Sequence, residues 1–224
     1  MLMLMALVAG ESVAFELHAT ADGDANRWMQ LPVTYAVDFT DAPDDFDEDT
    51  QLAAIDGAIA AWASVPGTDI SFEERSLDEA VDGTIVWVRD WPYDPKLLGL
   101  TKTTTQGDEI IAFELMINAD APWAPTYDED SVDLQNTLAH EFGHVLGLDH
   151  VDIEDATMYP SMAAGETFKR DLHPDDEDGA RYLYPDGWQS DDMNAGPRLC
   201  SILPGTGGPM VVVLSLVASA RRRA

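Results

Sequence analysis

The chain has 224 residues, 46% of them hydrophobic, and its 12 basic and 42 acidic residues give a formal net charge of −30. That length fits one domain with short appendages, and the apolar content is enough to build a core. So large an acidic excess excludes nucleic acid as a partner, because phosphate binding runs on Lys and Arg, and it argues equally against adsorption to anionic lipid. The surplus fits the solvated surface of a secreted protein, and clustered carboxylates could also hold calcium. Cys200 is the only cysteine, so no disulfide can form within this sequence.

In chain order, Met1 to Ala9 is apolar. Ser12-Val13-Ala14 then places small residues at −3 and −1 of a cleavage after Ala14. Residues 1–14 therefore read as a secretory signal peptide, although no basic residue precedes the apolar run. A buried first strand is the competing reading. Val33, Tyr35, Val37 and Phe39 alternate and predict a strand over 31–39. An acidic loop, 41–49, precedes a helix capped by Asp49 or Thr50, with Leu52, Ile55, Ile59 and Trp62 as its apolar stripe and Pro66-Gly67 as its stop. Further strands are expected at 70–73 and 84–89. The stretch Leu97 to Thr101 then leads into a strand over 109–118, whose Ile111, Phe113, Leu115 and Ile117 look like one buried face.

The chemistry is concentrated in His140-Glu141-Phe142-Gly143-His144, on a helix expected to start near Asp130–Val132. Leu134, Leu138, Phe142 and Val145 recur at helical spacing and anchor one face in the core. Residues four apart share a helix face, so His140 and His144 can aim two imidazoles at one metal ion. Glu141 stands about 100° further round, beside the metal. A continuous helix would put His150 about 15 Å from His140 along the axis, too far to share the ion. Gly147 resolves this, since glycine enters the left-handed conformation cheaply and can end the helix, returning His150 to the metal. Three histidines leave zinc an open position, which marks a catalytic rather than a structural site. Glu141 is then placed to act as general base.

The run from His140 to His150 resembles the extended zinc motif of the metzincin peptidases. Ala156-Thr157-Met158-Tyr159-Pro160 looks like their Met-turn, in the form typical of matrixins, the matrix-metalloproteinase family. Asp133-Leu134-Gln135, and Asp175-Asp176 with Gly179, Leu183 and Tyr184, are also similar to matrixin segments. The likeness runs from about Trp28 to Pro185.

This resemblance implies an α+β, matrixin-like catalytic domain over residues 15–187: a twisted mixed β-sheet with three helices and a Met-turn. It implies one catalytic zinc on His140, His144 and His150, with Glu141 as base and then acid. Met158 would form an apolar floor under the zinc, and Tyr159 and Pro160 would help wall a substrate pocket. Asp175 and Asp176 would brace the Met-turn and the N-terminal part of the domain. Phe113, Glu114, Leu115, Met116 and Ile117 would form a sheet-edge strand that pairs with an extended substrate by β-augmentation. Animal matrixins hold a second zinc with three histidines. Here only His18 and His173 remain, so one zinc is expected. No cysteine precedes the domain to keep it latent, and Val151 stands where matrixins often have Ser.

Residues 188–199 read as a polar linker. Over 200–224, Cys200, the apolar run Met210–Ala220 and Arg221-Arg222-Arg223 resemble the tripartite C-terminal sorting signals of surface proteins in Gram-negative bacteria, particularly the myxobacterial type. Such a segment would associate with membrane until processed, with its arginines on the cytoplasmic side. The expectation is a secreted or surface-anchored bacterial protein, monomeric, a zinc metalloendopeptidase acting on extracellular proteins or peptides such as those of the extracellular matrix. The alternative from another class is a non-catalytic metal-binding adhesion module, against which an intact Glu141 speaks. A serralysin- or astacin-like peptidase is the alternative within the enzymes, and Met158-Tyr159-Pro160 speaks against it.

Overall fold

The computed structural model describes residues 14–44, 46–124, 128–187 and 212–220. After a short strand β1 (Arg27–Trp28), the alternating stretch forms β2 (Val33–Asp38). Helix α1 (Glu48–Ala63) is capped by Asp47, whose carboxylate accepts the Thr50 backbone N–H at 2.9 Å, rather than by Asp49 or Thr50. Its inward stripe is Gln51, Ile55, Ala58 and Trp62, one residue round from the expected one at two positions, with Leu52 and Ile59 half-buried. Gln51 is tolerated inside because its amide donates to the Phe46 carbonyl.

The remaining strands are β3 (Phe72–Glu74), β4 (Gly83–Val88), β5 (Leu97–Gln106), β6 (Glu109–Asn118), β7 (Ser161–Ala163) and β8 (Val212–Ala220). They form one mixed sheet in the order β3-β2-β4-β6-β5-β8-β7, with β1 added parallel to the start of β6. β2, β3, β4 and β6 run parallel, as crossover connections require, and β5 runs antiparallel to β6 across the turn at Gly107. Ile85, Trp87, Leu115 and Ile117 on the inner face pack in one core with Trp62 of α1 and with Leu138, Phe142 and Val145 of the second helix.

Three expectations about this sheet fail. The stretch expected only to lead into the next strand is itself a full ten-residue strand, β5; its threonines are β-branched and suit a pleated surface despite their polarity. As a result β6 has no free edge. Phe113, Glu114, Leu115, Met116 and Ile117 are paired with β4 on one side and β5 on the other, so their main chain is not available to a substrate. Nor do Ile111 and Phe113 share a face. The pairing jumps from Thr104↔Ala112 to Thr105↔Ile110, and the extra residue of this bulge flips the inside–outside phase, leaving Ile111 exposed and Ile110 buried.

Helix α2 (Leu134–Leu146) carries the histidines and crosses the core, buried along nearly its whole length. Asp133 caps it, accepting the Asn136 N–H at 2.7 Å. Its last four carbonyls, which a helix leaves without internal partners, are all satisfied. Gly143 and His144 accept the N–H of Gly147, whose φ of 99° ends the helix in the left-handed region as expected. Val145 accepts the Trp28 indole N–H at 2.8 Å, and Leu146 accepts the Tyr184 hydroxyl at 2.6 Å. A Cβ at residue 147 would lie 2.3 Å from the Asn26 carbonyl oxygen, so the turn is closed to any other residue on two counts.

Helix α3 (Pro174–Leu183) closes the domain behind the Met-turn, capped by His173. The expected cleavage point, the linker and the rest of the C-terminal segment lie outside the described residues, apart from Ala14 and β8. Among the described residues no helix is long and apolar enough to cross a membrane.

Candidate metal centre and active site

The αL turn at Gly147 brings His150 back to α2. The Nε2 atoms of His140, His144 and His150 form a triangle with sides of 3.1, 3.2 and 3.2 Å. Hydrogen bonding among themselves does not explain this closeness. His140 Nδ1 lies 2.6 Å from the Thr157 carbonyl oxygen and His144 Nδ1 lies 2.8 Å from that of Leu148. A carbonyl only accepts, so both Nδ1 atoms carry the proton and both Nε2 atoms present lone pairs. Lone pairs converging on one point repel unless a cation stands there. Ligand atoms on a tetrahedral zinc, at Zn–N distances of about 2.0–2.1 Å, would be about 3.3 Å apart, so the donor set fits that ion.

The surroundings keep these rings in the ligating, uncharged form. Burial holds His140 and His144 well below the ordinary imidazole range, and the positive charge of Lys169 pushes His140 further down. His150 is also lowered, first by burial, with Asp149 working against it. Asp149 accepts the His150 backbone N–H at 2.7 Å and so fixes the turn that presents the third ring. The N-terminal segment straps the same turn: the His18 N–H donates to the Gly147 carbonyl and the Asp149 N–H donates to that of Glu16, both at 2.9 Å.

Glu141 is fully buried beside the triad. Burial pushes its carboxyl up to about 8, and a hydrogen bond from Thr101 partly offsets this. The Thr101 hydroxyl donates to Oε2 at 2.5 Å, while Oε1 has no hydrogen-bond partner among the described residues. A buried oxygen left unpaired in this way is costly unless a ligand or water completes it.

Met158 lies in the core at the turn under the helix. Its N–H and that of Thr157 donate to the two carboxylate oxygens of Asp176, at 3.1 and 2.7 Å, and the His173 N–H reaches the same carboxylate at 3.0 Å. The Ala14 N–H donates to Asp175 at 2.8 Å. The two aspartates thus contact the Met-turn and the N-terminal segment as the resemblance implied. Tyr159 and Pro160 follow Met158 directly and are half-buried.

Sequence reasoning missed Lys169. Its side chain is completely buried, and Nζ donates to the carbonyls of Tyr159 at 2.8 Å and Ser161 at 2.6 Å, with Glu166 at 3.7 Å. It clamps the segment that follows the Met-turn. No spacing rule relates Lys169 to the zinc motif, so nothing in the chain order pointed to it. Thr101 was missed because no strand was expected over 97–106. The strand 113–117, conversely, does not supply an edge at the site; β5 lies between it and β8.

A mixed sheet, a helix ended at a left-handed glycine, three converging imidazoles and Met158 packed against that helix define the metzincin class of fold, α+β as expected. Within that class, the sequence model of the matrixin family matches residues 27–185, more than half of the chain, and the chain belongs to that family. It is 31% identical over 176 residues to metalloendoproteinase 1 of Glycine max, covering 72% of this chain and 53% of the relative. Similarity to metalloendoproteinase 2-MMP of Arabidopsis thaliana is 35% over 99 residues, 41% of this chain and 26% of that protein. To rat stromelysin-3 it is 30% over 165 residues, 70% and 31% respectively. The chain thus spans about half or less of the length of these relatives. Family membership implies zinc, and His140, His144 and His150 could hold it.

Proposed function

We propose that this domain hydrolyses peptide bonds in extracellular proteins, with zinc on His140, His144 and His150 and Glu141 as the proton carrier. The observation that carries the reading is the triangle of Nε2 atoms, two of them fixed as lone-pair donors, next to a buried carboxylate with one unpaired oxygen. Zinc bound there supplies Lewis acidity, polarising the scissile carbonyl and lowering the pKa of water to about 7. Glu141 takes the proton of the attacking water and passes it to the leaving amine.

The substrate edge falls to β5 in this reading. Its main chain on the side away from β6 accepts a strand, since β8 pairs there antiparallel over Leu97 to Thr104. β7, just after the Met-turn, pairs parallel to β8 and forms the opposite rim, so an extended peptide would lie between the two. Secretion, anchoring through residues 200–224 with β8 released from β5, and a monomeric state belong to the same proposal. They rest on the apolar ends, the terminal arginines and the acidic surplus.

The test is Glu141→Gln. It should keep zinc and lower peptide hydrolysis by about 10³-fold, the scale of a lost general base. His150→Ala should release zinc as well. Hydrolysis by Glu141→Gln at the parent rate would overturn the mechanism.

A further inference from the structure

We propose that Thr101 is a positioning residue for the reaction: its hydroxyl holds the Glu141 carboxylate in the rotamer that turns Oε1 to the reacting centre. The inference rests on Glu141 being the base. Three observations carry it. The Thr101 hydroxyl, buried in β5, donates to Glu141 Oε2 at 2.5 Å, with a longer approach of 3.3 Å to the Glu141 carbonyl. The other oxygen, Oε1, is buried and makes no hydrogen bond among the described residues. Gly99, two residues before Thr101 and on the same face, leaves the space that Oε1 needs, for a Cβ there would lie 2.6 Å from it.

These contacts divide the two carboxylate oxygens between two tasks. Oε2 is spent on the strand, and Oε1 remains for the proton transfer. The grip is rigid because Gly99 and Thr101 are paired with Ile117 and Leu115 of β6, in the interior of the sheet. A glutamate has three side-chain torsions to fix, and a base displaced by a fraction of an ångström loses much of its effect. β5 is also the strand whose outer edge takes a further strand. The residue that orients the base is therefore on the element that would orient a peptide substrate, and both are referenced to the same backbone.

The experiment compares Thr101→Val, Thr101→Ser and Thr101→Ala in the full chain, alone and with Glu141→Gln. Zinc content and cleavage of a quenched peptide substrate are measured. Valine keeps the β-branched shape and removes the donor; serine restores the donor without the methyl. Thr101→Val should lower kcat about 10- to 100-fold with KM within about twofold and zinc unchanged, the scale of one charged hydrogen bond in the transition state. Thr101→Ser should recover to within about threefold of the parent. In the Glu141→Gln background none of the three should have a further effect. If valine does not fold, the serine and alanine pair asks the same question, with kcat expected to separate them.

Parent kcat in Thr101→Val, a loss confined to KM, or serine no better than alanine would overturn the positioning role while Glu141→Gln still confirmed the base. Full hydrolysis by Glu141→Gln would instead remove the base and the positioning role together.

Discussion

Gly143 of α2 lies directly on Met158: a Cβ at that glycine would sit 2.2 Å from the Met158 sulfur and 2.9 Å from the Trp62 ring. The glycine between the two metal-site histidines is therefore where the helix settles onto the Met-turn. Gly143→Ala sets two effects against each other. Helix propensity favours alanine by about 1 kcal/mol, whereas forcing a methyl into a filled core costs about 1–3 kcal/mol and displaces what lies beneath. Overpacking should win, with net destabilisation of about 1 kcal/mol in urea unfolding and weaker zinc retention. A stabilised variant with unchanged zinc affinity would mean that Met158 yields freely.

Asp176 serves three backbone donors, from Thr157, Met158 and His173. Asn has a single carbonyl oxygen. In Asp176→Asn that oxygen can keep the donors shared by Oδ2, but its NH₂ must then face the Met158 N–H. One buried donor is left unpaired, at about 1–3 kcal/mol. Urea unfolding should show that loss, and Thr157, whose carbonyl orients His140, should pass part of it on as weaker zinc binding. Unchanged stability would show that the turn does not depend on the carboxylate.

The pH dependence of the metal-free chain follows from the buried imidazoles. Their folded pKa values lie below the ordinary 6.5, so the unfolded chain binds protons that the folded one refuses. Stability from these groups is present above 6.5 and is lost as pH falls from there towards the folded values. Glu141 acts in the opposite sense, because its carboxyl is raised from 4.5 to about 8; its contribution is present below 4.5 and lost as pH rises through 8. His140 and His144, both held well below 6.5, together outweigh the one carboxyl as pH falls below 6.5. Each proton refused costs about 1.4 kcal/mol per pH unit. Thermal unfolding of chelator-treated protein should give a lower Tm at pH 5 than at pH 7.5, and a flat profile would contradict the burial of the triad.

β8 lies along the part of β5 that carries Gly99 and Thr101, and it contacts α2 as well. A peptide substrate adding to that edge must displace it. Prolines at Leu214 and Ser215 remove two adjacent N–H groups, one of which belongs to the ladder in either phase. The doubly substituted full chain should cleave a peptide substrate with kcat/KM raised about tenfold, as expected when a tethered competitor is loosened. Equal kcat/KM in the two proteins would show that β8 does not obstruct the edge.

The sequence alone determined the local chemistry. His140 and His144 four apart, Gly147 as a forced left-handed stop and His150 three residues later fix a ligand triangle, because helix pitch and the glycine turn are short-range geometry. Asp175-Asp176 and Met158 were legible through resemblance. What lay beyond reach were contacts between residues distant in the chain and the side of the sheet each strand faces. Trp28 and Tyr184 cap the last carbonyls of α2 from opposite ends of the domain, and Lys169 clamps the Met-turn segment through two carbonyls. Neither leaves a periodic signal. One bulge inverted the faces of β6, and an unforeseen threonine-rich strand covers it, which moves the proposed substrate edge to β5. Strand order and register are settled by pairing between segments and by the fit of the whole core, so only the tertiary structure could place Thr101 against Glu141.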